Sequence, residues 1–221
     1  VITVGQKAFI DFSFAHITYD NYARDTFDLL IHGKKAATIT LGVPGEHNVY
    51  NALAAIAVCM DLGIDMEYIK EGLEQFTGTQ RRFEKKGEIG GVTIIDDYAH
   101  HPTEISATAN AIKNKTYNKS WVVFQPHTYS RTKSLLDDFA KALSNFDNLI
   151  VLDIYAAREQ NTFDISSKDL VKKLEENNKK ALYMPDFSEV VSYLKQNVSK
   201  NDIIITLGAG TVTQIGPMLL K

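Results

Sequence analysis

Reduced to apolar and polar positions, the 221-residue chain changes rhythm near residue 80. Residues 8–14, 27–31 and 37–41 carry aromatic and β-branched side chains at the density of strands, with Asp20-Asn21 and Gly33-Lys34 as turn candidates. Tyr19, Tyr22 and His16 read as cross-strand packing. Two helical patterns follow. Residues 47–62 are rich in Ala and Leu and stop at Gly63. The second has Asp65 as N-cap, Glu67 in its first turn and an apolar face of Tyr68, Ile69, Leu73 and Phe76. Thr77-Gly78-Thr79-Gln80 breaks the pattern, which places a domain boundary there and gives domains 1–80 and 81–221.

Beyond the boundary, apolar strands and amphipathic helices alternate. Strands at 92–96, 121–124, 149–152, 181–183 and 203–207 lead to helices at 102–113, 130–145, 166–177, 187–198 and 212–220. Such alternation predicts an α/β fold, doubly wound, with a mostly parallel sheet covered on both faces. Parallel strands put their carboxyl ends on one rim, where open α/β sheets hold ligands.

The residues after those strands are unlike the rest of the chain. Asp96-Asp97-Tyr98-Ala99-His100-His101 follows the first, and Pro102-Thr103-Glu104 opens the next helix with residues suited to its first turn. Gln125-Pro126-His127-Thr128-Tyr129-Ser130-Arg131-Thr132 follows the second, with Ser130 placed as an N-cap. Asp153-Ile154-Tyr155-Ala156-Ala157-Arg158-Glu159 and Gly208-Ala209-Gly210-Thr211 follow the third and the last. The helix-to-strand returns, such as Lys115-Thr116-Tyr117-Asn118-Lys119, read as solvated loops. His100 and His101 beside two acids raise the question of a metal, but adjacent histidines point apart and no helical pair supports them, so no metal site is assigned. His101 also suits a helix cap. Arg131 offers a planar fork to a carboxylate or phosphate, with a surface ion pair as the plainer alternative. The Gly208-Ala209-Gly210 loop lacks the third glycine of a dinucleotide fingerprint, and His32-Gly33-Lys34-Lys35 lacks the pattern of a phosphate loop. Ahead of the boundary, His47, Asn48 and Asn51 sit on the first turns of a helix, where amides could meet the edge of an adenine or simply cap it. Arg81-Arg82 at the junction suits an anion or a salt bridge equally.

Composition narrows the partners. A hydrophobic fraction of 44% and a charged fraction of 23% are ordinary for a globular protein, and a net charge of −3 argues against nucleic acid. No apolar stretch reaches the roughly 20 residues of a membrane span, so no membrane insertion is expected. The single Cys59, in an apolar run, cannot pair internally and reads as a buried hydrophobe in a reducing cytoplasm. Val1-Ile2-Thr3-Val4 opens in mid-pattern without an initiator Met, which reads as part of a longer protein.

Taken in order, Gly45-x-His47-Asn48-x-x-Asn51, Arg81-Arg82-Phe83, the run from Asp96 to Glu104, the run from Phe124 to Thr132 and the run from Leu152 to Glu159 resemble the Mur ligases of bacterial cell-wall synthesis. The likeness covers the chain from about residue 40 to its end. It implies the tail of a central ATPase domain followed by a Rossmann-like C-terminal domain. It also implies peptidoglycan-precursor synthesis, with ATP and Mg2+ as cofactors. The implied reaction joins L-alanine to UDP-N-acetylmuramate: the sugar's carboxylate is phosphorylated by ATP, and the acyl phosphate is captured by the amino group. By resemblance, His47, Asn48 and Asn51 contact adenine, Arg82 the ATP phosphates and Asp97 the ribose. Tyr98, His100, His127 and Arg131 bind the amino acid and acyl phosphate, with His100, His127 and Arg131 catalytic and Arg131 on the alanine carboxylate. Position 128 is Thr where many members have Arg. The phosphate loop, the magnesium-binding residues and the UDP-binding domain are not in these 221 residues, so the chain by itself is expected to be inactive. The rival readings are a tripeptide-adding recycling ligase of the same family and a non-catalytic nucleotide-binding module.

Overall fold

The computed structural model describes residues 1–7, 9–19, 25–43, 45–113 and 115–221, without the side chains of Tyr19 and His47. The turn candidate Asp20-Asn21 and Tyr22 lie outside the described residues. The chain divides into two compact units, Val1–Gly78 and Thr79–Lys221.

In the first unit, β1 (Phe12–Tyr19), β2 (Asp25–Ile31) and β3 (Lys34–Thr40) form an antiparallel sheet in that order. Strand β1 starts later than the 8–14 pattern and carries a bulge between Ala15 and Thr18. The β2–β3 turn is His32-Gly33, one residue before the expected Gly33-Lys34, which disposes of the phosphate-loop lookalike. His16 makes the cross-strand contact expected of it, its ring meeting Asp28 of β2 at 3.1 Å, on an exposed face. Helices α1 (Glu46–Asp61) and α2 (Met66–Gln75) cover the sheet's apolar face, burying Phe27, Leu29, Ile39, Leu53 and Ile56. Cys59 is half-buried at the edge of this core rather than inside it. Of the face expected on α2, Ile69 is buried, whereas Tyr68 and Phe76 are exposed.

In the second unit, six strands run in the order β4-β5-β9-β6-β7-β8. They are β4 (Glu84–Ile89), β5 (Val92–Asp97), β6 (Ser120–Phe124), β7 (Asn148–Val151), β8 (Leu182–Tyr183) and β9 (Ile203–Leu207). All pairings are parallel except β4–β5. The parallel strands alternate between two cores, because successive side chains point to opposite faces. Ile95, Val122, Phe124, Val151 and Ile205 pack beneath α3 (Pro102–Lys113), α5 (Leu136–Leu143) and α6 (Ser167–Glu176). Ile94, Val123, Ile150 and Ile204 pack beneath α7 (Phe187–Asn197) and α8 (Ile215–Leu219).

Three elements differ from the pattern expected of the sequence. Strand β4 has no counterpart in that pattern. It is a polar edge strand, turned into β5 by Gly90-Gly91, both at positive φ. The helix expected at 130–145 is two, α4 (Tyr129–Ser134) and α5, broken where Leu135 adopts φ −117° and ψ 23°. The last helix begins as a 3-10 turn, Thr211–Gln214, before α8.

Candidate functional site at the carboxyl rim

The registers Asp97↔Leu207, Phe124↔Leu207 and Phe124↔Val151 bring the carboxyl ends of β5, β9, β6 and β7 level. The loops leaving these strands therefore meet on one rim, in two layers.

The lower layer is largely buried and hydrogen-bonded. Asp96 is fully buried and accepts from Thr206 Oγ1 (2.6 Å), Thr213 Oγ1 (2.7 Å) and Arg81 Nε (3.1 Å). Arg81 also donates to the Gly208 carbonyl, tying the start of the unit to its last strand. Asp97 accepts from the Ala99 N–H at 3.1 Å and Thr108 Oγ1 at 2.6 Å. Burial pushes its carboxyl up, and these two bonds offset part of the rise. Gln125 Oε1 accepts the Val212 N–H at 3.0 Å, holding the loop of Gly210. A Cβ on Gly210 would overlap that amide and stand 2.7 Å from the Tyr155 ring, so close approach explains this glycine.

Above lies a row of partly exposed rings and guanidinium groups. Arg82 stands 5.6 Å from the centre of the Tyr98 ring and 3.6 Å from Glu104 Oε1. Tyr98 meets His100 edge-on with centroids 5.3 Å apart, and His100 lies 5.6 Å from His127. His127 stacks on Tyr155 at 5.7 Å and receives Arg131 Nη1 on its Nδ1 at 3.3 Å. Partners fix the tautomers. A carbonyl only accepts, so His100 Nδ1, 2.9 Å from the Tyr98 oxygen, carries a hydrogen. A guanidinium only donates, so His127 Nδ1 is the acceptor and its Nε2 carries the hydrogen. Burial, Arg131 and His100 all lower the His127 pKa, with Glu159 opposing, so the ring is neutral at pH 7.

The helix α3 start is capped as its sequence implies. The His101 ring accepts the Thr103 N–H at 3.3 Å, and Glu104 Oε2 accepts the His100 and His101 N–H groups at 3.0 and 3.1 Å. Burial alone would raise the Glu104 carboxyl, but these bonds, His100 and Arg82 together lower it. Ser130 is not the cap expected of it. Helix α4 begins one residue earlier, and the Ser130 hydroxyl and N–H both donate to Glu159.

Of the residues singled out from sequence, Arg82, Asp97, Tyr98, His100, His127 and Arg131 thus gather on this rim. His47, Asn48 and Asn51 belong to the other unit. There the N-cap of α1 is Gly45, Asn48 sits in the first turn, and the Asn51 amide donates to Asn48 Oδ1 at 3.2 Å. The His47 side chain lies outside the described residues. The two adjacent arginines separate: Arg81 is committed to Asp96 inside the unit, while the Arg82 side chain is 54% exposed. Sequence reasoning gives Tyr155 and Glu159 no role. Their signals are membership of the Leu152–Glu159 run and position, in a loop after a parallel strand.

Residues 81–210 match the family described as Mur ligase, glutamate ligase domain, and residues 1–59 match the Mur ligase middle domain. A UDP-N-acetylmuramate–L-alanine ligase of Lachnospira eligens is 53% identical over 222 residues, covering 100% of this chain and 48% of that protein. The UDP-N-acetylmuramate–alanine ligase structure from Thermotoga maritima superposes with a TM-score of 0.75 at 29% identity, over 99% of this chain and 47% of that one. A murein peptide ligase from Psychrobacter arcticus shares the fold, with a TM-score of 0.74 at 22% identity over 99% of this chain and 45% of that one. The chain spans about half the length of the curated relatives it matches, 48% of the Lachnospira protein. Matched by two domain families of one kind of enzyme, and half identical to a relative along its whole length, the chain belongs to the Mur ligase family.

Proposed function

We propose that the full-length protein joins L-alanine to UDP-N-acetylmuramate through an acyl phosphate made with ATP, and that the rim described above receives the amino acid. The observation that carries this is the state of Arg131. Among the described residues, Arg81 and Arg82 have carboxylate partners, whereas Arg131 is held by a neutral histidine. A guanidinium placed so keeps its fork for two ligand oxygens. Relatives 53% and 50% identical, from Lachnospira eligens and Agathobacter rectalis, are UDP-N-acetylmuramate–L-alanine ligases, which supports alanine over a tripeptide. The murein peptide ligase is similar in fold alone.

The rim suits amide formation. An incoming amino acid brings an ammonium group that must lose a proton before it attacks. In its neutral form His100, with the hydrogen held on Nδ1 by the Tyr98 carbonyl, has the Nε2 lone pair for that task. The His127 Nε2–H donates to anionic oxygen. Arg131 anchors the carboxylate, so that orientation supplies much of the rate. ATP enters as a co-substrate. Arg82 presents an exposed fork for phosphate oxygens, and Asn48 and Asn51 carry amides suited to an adenine edge. Asp97 is assigned to the ribose, with little of its carboxylate exposed. Among the described residues no three His, Cys, Asp or Glu side chains cluster; magnesium needs only one or two carboxylates beside substrate phosphates, and no step is assigned to it here. No described helix is long and apolar enough to cross a membrane, and a cytoplasmic setting suits substrates of this kind.

In the full-length protein, Arg131→Ala should raise the KM for L-alanine about 30-fold and leave that for ATP within about twofold, the loss of one charge-assisted pair. Equal effects on both substrates would overturn the assignment.

A further inference from the structure

Helix α4 starts without a cap of its own. Thr128, at its N-cap, has φ 67° and ψ 145° and makes no side-chain capping bond. Positive φ is costly for a β-branched residue and persists where surroundings enforce it. The first N–H groups of a helix need acceptors, and this one comes from 29 residues further on. Glu159, in the loop after β7, accepts the Ser130 N–H at 2.9 Å and the Ser130 hydroxyl at 2.5 Å. Those bonds hold its carboxyl below the usual range, so it meets the helix N-terminus as an anion.

The same loop grips the segment again. The Tyr155 N–H donates to the Pro126 carbonyl at 2.8 Å, and the Thr128 N–H donates to the Tyr155 carbonyl at 2.9 Å. The Tyr155 ring lies against His127 with 26° between planes. Residues 126–131 are thereby clamped onto residues 155–159. Arg131 is the next residue after the one Glu159 holds.

We propose that Glu159 is a positioning residue for the amino-acid site: it pins the first turn of α4 so that Arg131 stays on His127 with its fork set for a ligand carboxylate. This rests on the ligase reading above. Glu159 acts through Arg131, and a cap that merely stabilised its helix would change unfolding and leave substrate affinity alone.

The test compares Glu159→Ala with Glu159→Gln in the full-length protein. The Ala variant should raise the KM for L-alanine about tenfold with the KM for ATP within about twofold; Gln keeps an acceptor for the Ser130 N–H and should stay within about threefold of wild type. An unchanged alanine KM in the Ala variant, an equal rise for ATP, or a Gln variant no better than Ala would each overturn the proposal. A second readout needs no turnover. Ring 15N shifts of His127 should show hydrogen on Nε2 in the wild type and a mixture of tautomers in Glu159→Ala; an unchanged single tautomer would contradict the clamp. A wild type without alanine-dependent activity would count against the ligase reading, with the tautomer still deciding the role of Glu159.

Discussion

At the amino end of the six-stranded sheet, Asp202 accepts from the Trp121 indole (2.9 Å), the Ser199 N–H (2.9 Å) and the Lys119 N–H (3.2 Å). Beside it, Asp147 accepts from the Ser120 N–H and hydroxyl at 2.7 and 2.8 Å. At the carboxyl end, Asp96 and Asp97 are buried like Asp202, with both oxygens of each accepting hydrogen bonds. Acids that close loops onto strands thus occur at both ends, Asp202, Asp96 and Asp97 buried and Asp147 exposed. The ends differ in the layer above. Over Asp96 and Asp97 stand Tyr98, His100, His127 and Arg131, partly exposed, with the Arg131 guanidinium turned to no carboxylate among the described residues. Polar residues at strand ends are therefore common to scaffold and site. Uncommitted donors and acceptors distinguish the site.

That contrast can be broken by removing one group from each end. The largest effect belongs to Asp202→Ala, which strands three donors, one of them a buried indole. Unfolding in denaturant should show a loss of about 3 kcal/mol, with the alanine KM of the folded enzyme within about twofold of wild type. A rise in KM like that of Arg131→Ala would mean that the two ends are not functionally distinct. The smallest effect is a matter of pH. Because the folded His127 pKa lies below the ordinary 6.5, the unfolded chain binds a proton that the folded one refuses between those two values. Stability therefore rises with pH through that window and is flat above about 6.5. The alanine KM should follow the same window, constant above it and rising below, since a protonated His127 cannot accept from Arg131. An NMR titration of the ring should give a pKa below 6.5 that moves upward in Arg131→Ala; a pKa unmoved by the loss of Arg131 would detach the two residues.

Much of the rim is legible in the amino-acid order alone. The run from Asp96 to Glu104 announces a strand end, a cap and a site together, because its apolar strand, Pro102 and Glu104 act locally. The parallel strands are legible for the same reason: Ile203 to Leu207 is a continuous apolar run. Strand β4 is not, since an edge strand such as Glu84-Lys85-Lys86-Gly87-Glu88-Ile89 faces water and lacks the pattern of burial; only Gly90-Gly91 hints at its hairpin. Leu135, packed against the core, breaks the helix expected at 130–145 with no Gly or Pro beside it to announce the break. The roles of Arg81 and Arg82 cannot be told apart locally because Asp96, the partner that decides them, is 15 residues away. The return loops that read as merely solvated conceal the Trp121–Asp202 bond, which spans 81 residues. Glu159 is hidden likewise, as a cap supplied from another loop has no local signature.

The central claim is that a small amino acid is received at the carboxyl rim. The most direct test is ADP release by the full-length protein, with ATP and UDP-N-acetylmuramate present, across a panel of amino acids and the recycling tripeptide. L-alanine should support turnover at least about tenfold better in kcat/KM than any larger amino acid or the tripeptide. Preference for the tripeptide, or ADP release indifferent to the amino acid, would contradict it.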